Sequence, residues 1–238
     1  MNAGNEKASV VHIDQLDLVF SPRPWDFAEK RRSEIDAWFA ARQRDNPALW
    51  NGRVLLLHEH SLTKGIFRGR YLETDFASFT AWRQWGRPPA AINDCFAAAA
   101  ILAADGAFLL GVMGPHTVNA GRTYFPCGTP DPKDIYGTRV DLDLSMRREL
   151  KEETGLDAAE FAPEPGWTSI FDGSLVAHIK VLKSNDDART LRARISDYLA
   201  REQQPELADI RIVRGPDDFD MAMPRFVTTF LAHRFAVR

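Results

Sequence analysis

The order of strand-like and helix-like segments in this chain predicts a mixed α/β fold, and three observations carry that prediction. Apolar residues switch repeatedly between the period of two that marks a half-buried strand and the longer period that marks an amphipathic helix. The pair Asp105-Gly106 stands between the apolar runs 95–102 and 108–113, and such a pair favours the tight turns that match strand twist. Leu142, Met146 and Leu150 recur every four residues, which lays an apolar stripe along one side of a helix. Strands and helices mixed in this order favour an α/β sandwich or an α+β domain.

Taken in order, Val10 to Phe20 reads as extended, and Pro22 and Pro24 then punctuate the chain. Trp25 to Arg44 follows as an amphipathic helix, with Phe27, Ile35, Trp38 and Phe39 set among charges. Asn46-Pro47 and Asn51-Gly52 signal turns, after which 54–60 and 65–71 form an expected antiparallel pair. Phe76 to Trp85 is a short helix, and Pro88-Pro89 closes this section. A core strand starts at Cys95 and enters the Asp105-Gly106 hairpin. Beyond the helix that starts near residue 142, Trp167 to Lys183 supplies strand, Asp186 to Glu202 a charged helix and Asp209 to Arg214 a short strand. Met223 to Phe235 is a closing helix with Pro224 in its first turn.

Composition narrows the function classes. At 45% hydrophobic and 26% charged the chain is neither disordered nor fibrous. A net charge of -3, with no Lys/Arg-rich stripe, argues against a nucleic-acid polymer and for a small-molecule ligand. The longest apolar run, Cys95 to Ala104, is too short to cross a bilayer, and Met1 to Val10 lacks the pattern of a secretory leader. A cytoplasmic protein with no membrane partner is expected, and a homodimer stays open. Cys95 and Cys127 lack metal-type spacing and read as core thiols.

The chemistry is concentrated in Arg148-Glu149-Leu150-Lys151-Glu152-Glu153-Thr154-Gly155-Leu156. On a helix, Glu149 precedes Glu152 and Glu153 by three and four positions, so all three carboxylates project to one side. Like charges at these spacings repel, and carboxylates near a helix C-terminus oppose the macrodipole. A hard divalent cation reverses that repulsion, and an all-oxygen donor set suits Mg²⁺, or Mn²⁺, better than zinc. Such a cation binds diphosphates and activates water, so the expected chemistry is phosphoryl or nucleotidyl transfer to water.

Residues 148–156 resemble the second half of the Nudix box: Arg-Glu, an aliphatic residue, any residue, Glu-Glu, any residue, glycine and an aliphatic residue, with every specified position filled. The resemblance implies a Nudix hydrolase with an α/β/α sandwich built on a mixed sheet, spanning 91–238 and preceded by a smaller amino-terminal α+β section, 1–90. It implies Glu152 and Glu153 as metal ligands, Glu149 as ligand or base, Arg148 as the group that orients the carboxylates, and Gly155 as the helix-ending glycine. The first half of the box departs from the pattern, because Asp134 and Val140 stand where a glycine and a glutamate are expected. Pro126-Cys127-Gly128 resembles the entry to the family's loop, so Gly128 is expected to lend its backbone carbonyl to the metal. Asp141 is placed to cap the helix, and Asp141 or Asp143 is expected to replace the absent glutamate as a partner of Arg148.

The run 46–52 with Tyr71-Leu-Glu-Thr-Asp-Phe is similar to the amino-terminal region of the branch that includes a UDP-glucose pyrophosphatase. It turns the substrate expectation toward nucleotide sugars, with ADP-ribose and related dinucleotides still open. Asp172, Glu202 and Glu206 are candidates for a further acid beyond the box, Glu206 first. His58-Glu59-His60 offers two imidazoles on a strand, though an exposed strand face is the plainer reading. Trp50, Trp82, Trp85 and Trp167 could stack on a base, but core packing is the usual role of such residues. The alternative to an enzyme is a Nudix-fold module that binds a nucleotide without hydrolysing it.

Overall fold

The computed structural model describes residues 8–47 and 49–237; Met1 to Lys7 and Ala48, parts of the leader and turn readings above, lie outside them. The mixed α/β architecture is present, and the chain forms two compact units.

One unit comprises the described residues up to Asp14, Phe96–Gly128 and the chain from Asp143 onward. Its sheet runs in the order Ser9–Ile13, Trp167–Asp172, Leu175–Lys183, Asp94–Leu102, Phe108–Met113, Leu207–Val213. The expected hairpin forms: Ile101 faces Leu109, Leu102 faces Phe108, and Gly106 takes φ +82° in the turn. Strand 94–102 is buried along nearly its whole length, so it shows no alternation; its alanines suit a strand covered on both faces. Phe125 and Phe230 meet edge to face at 5.2 Å, and Phe108 packs on both. The closing helix is Arg225–Ala236. Pro224 sits at its N-cap rather than within the first turn, in an extended conformation (ψ 154°) that the following helix does not share.

The other unit comprises Gln15–Cys95 and Thr129–Leu142. Its five-stranded sheet has the order Arg53–Thr63, Ile66–Asp75, Gln15–Phe20, Arg139–Val140, Ile135–Tyr136. The pair expected at 54–60 and 65–71 is antiparallel and longer than expected, whereas Gln15–Phe20 runs parallel to Ile66–Asp75. The helix expected over 25–44 is two, Asp26–Lys30 and Arg32–Asp45, broken at Arg31 (φ -113°). Apolar side chains from these helices, the sheet and Phe76–Gln84 close two clusters, one around Trp25, Leu56, Phe79 and Trp82, the other around Ile35, Phe39 and Ala81.

The chain passes between the units at 14–15, 95–96, 128–129 and 142–143, where the sequence reading expected one passage near residue 90. The first passage is hidden because strands Ser9–Ile13 and Gln15–Phe20, in different sheets, join through Asp14 alone and read as one extended run. The later two enclose the segment 129–142, whose short strands extend the sheet of the second unit.

Candidate active site

Helix Leu142–Thr154 carries the acidic residues, and its sequence explains its pose. Leu142, Met146 and Leu150 are all buried, as their spacing requires, and Leu156 locks the exit. Thr154 returns its hydroxyl to the Leu150 carbonyl at 2.5 Å. Gly155 ends the helix at φ +72°, where its amide meets the Lys151 carbonyl at 2.9 Å. A left-handed residue after the last turn is the usual glycine stop.

With the apolar stripe inward, the carboxylates fall into graded environments. The Glu152 side chain is 61% exposed, that of Glu149 14%, and Glu153 as a residue only 4%. Arg148 Nη1 donates to Glu149 Oε1 at 2.6 Å and lies 3.7 Å from Glu152 Oε2, so one guanidinium spans two of the acids. Asp143 receives Arg147 Nε at 2.5 Å, because i and i+4 on a helix are neighbours.

Glu153 is held from the other side of the site. Strand 94–102 positions the loop Pro126-Cys127-Gly128 through an Ala98–Cys127 bridge and an Ala99 amide bond to the Pro126 carbonyl at 3.0 Å. The Cys127 amide then donates to Glu153 Oε1 at 3.3 Å. Oε2 of Glu153 is buried with no hydrogen-bond partner. Burial first, then the neighbouring Glu149 and Glu206, hold the Glu153 carboxyl well above the usual carboxylate range; the Cys127 amide opposes this. Gly128 lies against Glu149, and a Cβ on residue 128 would overlap that carboxylate.

A pocket of about 150 Å³ is lined by Glu149, Glu152 and Glu153 on one side and by Tyr198, Leu199, Glu202, Gln204, Pro205 and Glu206 on the other. The helix thus faces two of the three acids expected from beyond it. Asp172 is elsewhere, paired with Arg225 at 3.2 Å. Tyr198, which the sequence reading missed, closes helix Ala188–Leu199 and donates its hydroxyl to the Glu152 carbonyl at 3.0 Å. Its position four residues before Glu202 was the available signal.

The tryptophans go elsewhere. Trp82 is a core residue and Trp85 lies beneath Arg31, while Trp167 is covered by Lys180, whose Nζ sits 4.2 Å from the ring centroid. Trp50 is 80% exposed. His58 contacts the Ser21 carbonyl at 3.2 Å and His60 stacks on Phe67, so each imidazole has its own neighbour. Cys95 is buried, which pushes its thiol up to about 12, whereas Cys127 is only half-buried and contributes through its backbone.

Among the described residues no three His, Cys, Asp or Glu side chains converge into a ready-made cation cage. The donor chemistry fits an open magnesium site nonetheless. Mg²⁺ takes one or two carboxylates and completes its octahedron with water and substrate phosphate, and Glu153 Oε2 offers a buried oxygen that no protein group satisfies. No described helix is long and apolar enough to cross a membrane.

No family model matches the chain, and no curated protein does. Solved structures are similar to it. One is RenU, a Nudix hydrolase from M. smegmatis, at 15% identity and TM-score 0.38 over 60% of this chain and 83% of that one. Another is the MutT protein from Methanosarcina mazei Go1, at 18% identity and TM-score 0.38 over 61% of this chain and 95% of that one. A third is the C-terminal domain of mouse MUTYH in complex with human PCNA, at 15% identity and TM-score 0.36 over 59% of this chain and 88% of that one. Likeness at this level leaves the functional argument to the side chains.

Proposed function

We propose that this chain is a Mg²⁺-dependent Nudix hydrolase, with Mn²⁺ as an alternative ion, that cleaves the pyrophosphate of a nucleoside diphosphate linked to another moiety. The observation that carries the reading is Glu153, a buried carboxyl with an unsatisfied oxygen, set beside Glu149 on its own helix and facing Glu206 across one pocket. A helix designed for stability alone has no use for that arrangement, since a buried unpaired acceptor costs roughly 1–3 kcal/mol. A strongly perturbed acid lining a pocket is a mark of a functional site.

Glu149, Glu152 and Glu153, with the Gly128 carbonyl, would hold the ion, and Glu206 is the further acid from the opposite wall. The bound ion supplies charge neutralisation for the diphosphate and polarisation of the attacking water. The remaining work belongs to the protein. Arg148 fixes the Glu149 carboxylate, the Cys127 amide fixes that of Glu153, and Gly128 leaves room for Glu149. Glu149 accepts a proton from water as its oxygen attacks phosphorus, the anhydride bond breaks, and the leaving phosphate departs with its electron pair. A nucleotide sugar is the substrate class favoured by the resemblance of the run 46–52 to the UDP-glucose pyrophosphatase branch.

A panel of nucleoside diphosphate derivatives incubated with Mg²⁺ and read by mass spectrometry tests this. Nucleoside monophosphate should appear with at least one substrate and vanish in Glu153→Gln. A folded protein inactive across the panel would overturn the hydrolase reading. The second reading, a nucleotide-binding module without turnover, is favoured by Val140, which is buried where the resemblance expects a glutamate. It predicts ligand-dependent rises in melting temperature with no product.

A further inference from the structure

The C-terminal end of the acidic helix is tethered by one side chain from outside it. The helix stops at Thr154, so carbonyls of its last turn lack a helical amide partner. The Lys151 carbonyl takes the Gly155 amide. The Glu152 carbonyl takes the hydroxyl of Tyr198 at 3.0 Å. The Tyr198 ring also lies close over Gly155, near enough that a Cβ there would meet its Cγ and Cδ2 at 2.5 Å. Glycine at 155 therefore does two things: it takes the left-handed turn and admits this ring. Tyr198 also lines the pocket together with Glu202 and Glu206.

We propose that Tyr198 is a positioning residue for the metal site: its hydroxyl fixes the last turn of helix Leu142–Thr154, and with it the carboxylates of Glu152 and Glu153, against the wall that carries Glu202 and Glu206. The inference rests on the hydrolase reading above and adds to it the means by which the two walls keep their spacing. Side-chain acids on a frayed helix end would lose register with the facing acids, because a helix terminus opens more easily than its middle. A tether on the backbone between the two ligands holds both at once. Groups that support ligands in this way are worth roughly 10–100-fold in metal affinity.

Tyr198→Phe removes the hydroxyl and keeps the ring over Gly155. Mn²⁺ binding to the purified full-length protein, followed by the electron paramagnetic resonance signal of the free ion, should weaken by about tenfold or more. Hydrolysis should require correspondingly more Mg²⁺ while kcat at saturating Mg²⁺ stays near that of the unsubstituted protein, a split that a general loss of folded protein does not produce. Tyr198→Trp, which keeps an aromatic and places a different donor at its tip, guards against a folding defect peculiar to the first variant and should also weaken binding. Unchanged Mn²⁺ affinity in folded Tyr198→Phe would overturn the positioning role while leaving the hydrolase reading intact. No Mn²⁺ binding by the unsubstituted protein would overturn both.

Discussion

Glu153→Gln is the substitution for which the structure dictates opposite effects on stability and on metal response. In the folded protein Glu153 is 4% exposed, its Oε2 has no partner, and it lies close to Glu149 on its own helix and to Glu206. An amide replaces one unsatisfied oxygen with a donor beside two carboxylates and removes the buried charge. Relief of one unsatisfied buried group is worth roughly 1–3 kcal/mol. For a chain of this size each kcal/mol moves Tm by roughly 2–4 °C. The variant should therefore melt roughly 2–12 °C above the unsubstituted protein in a metal chelator at pH 8. The sign follows from the acid: its folded value lies above the unfolded one, so the neutral form is favoured in the fold. The difference is accordingly small at pH below the ordinary value of 4.5, and grows as pH rises from there to the folded value. Added Mg²⁺ at ten times its dissociation constant should stabilise the unsubstituted protein by about 1.4 kcal/mol and the variant by much less. Thermal melts by circular dichroism across pH 4–9, with chelator and with Mg²⁺, give all these quantities. A Gln variant that melts lower in chelator, or takes the same Mg²⁺ shift, would refute the reasoning.

Two further outcomes follow from neighbouring residues. Gly128→Ala puts a methyl group into the Glu149 carboxylate, which must swing aside; melting should change little, while Mn²⁺ affinity and turnover fall by roughly 10–100-fold, read by titration and initial rates. Val140→Glu supplies the glutamate that the resemblance expects, but Val140 is 5% exposed, in a strand pair with Ile135. Burying an unpaired carboxylate costs several kcal/mol, so this variant should lose Tm and gain no activity; a stable, faster enzyme would contradict the placement of that strand.

Much of the candidate site is legible in the sequence because it is local. Three glutamates within five residues share a helix face by geometry alone, and Leu142, Met146 and Leu150 fix which face turns inward. Gly155 is similarly local, since a helix stop needs only its own φ. The Asp105-Gly106 hairpin was legible for the same reason. Two arginines follow Asp143, and only the helix pose shows that Arg147 meets it.

What the sequence determined by itself, then, is an amphipathic helix with an acidic face and much of the order of strands and helices, together with the expectation of a hard divalent cation. The tertiary structure decided which acids meet. Glu206 lies more than fifty positions from Glu153, and periodicity carries no information at that separation, yet chain folding sets them on facing walls of one pocket. It also decided how unequal the three glutamates are. Spacing makes them equivalent, but burial does not: the Cys127 amide, brought in by a strand about forty residues upstream of the helix, reaches Glu153, and the same packing that supplies this bond removes water from that carboxyl's other oxygen.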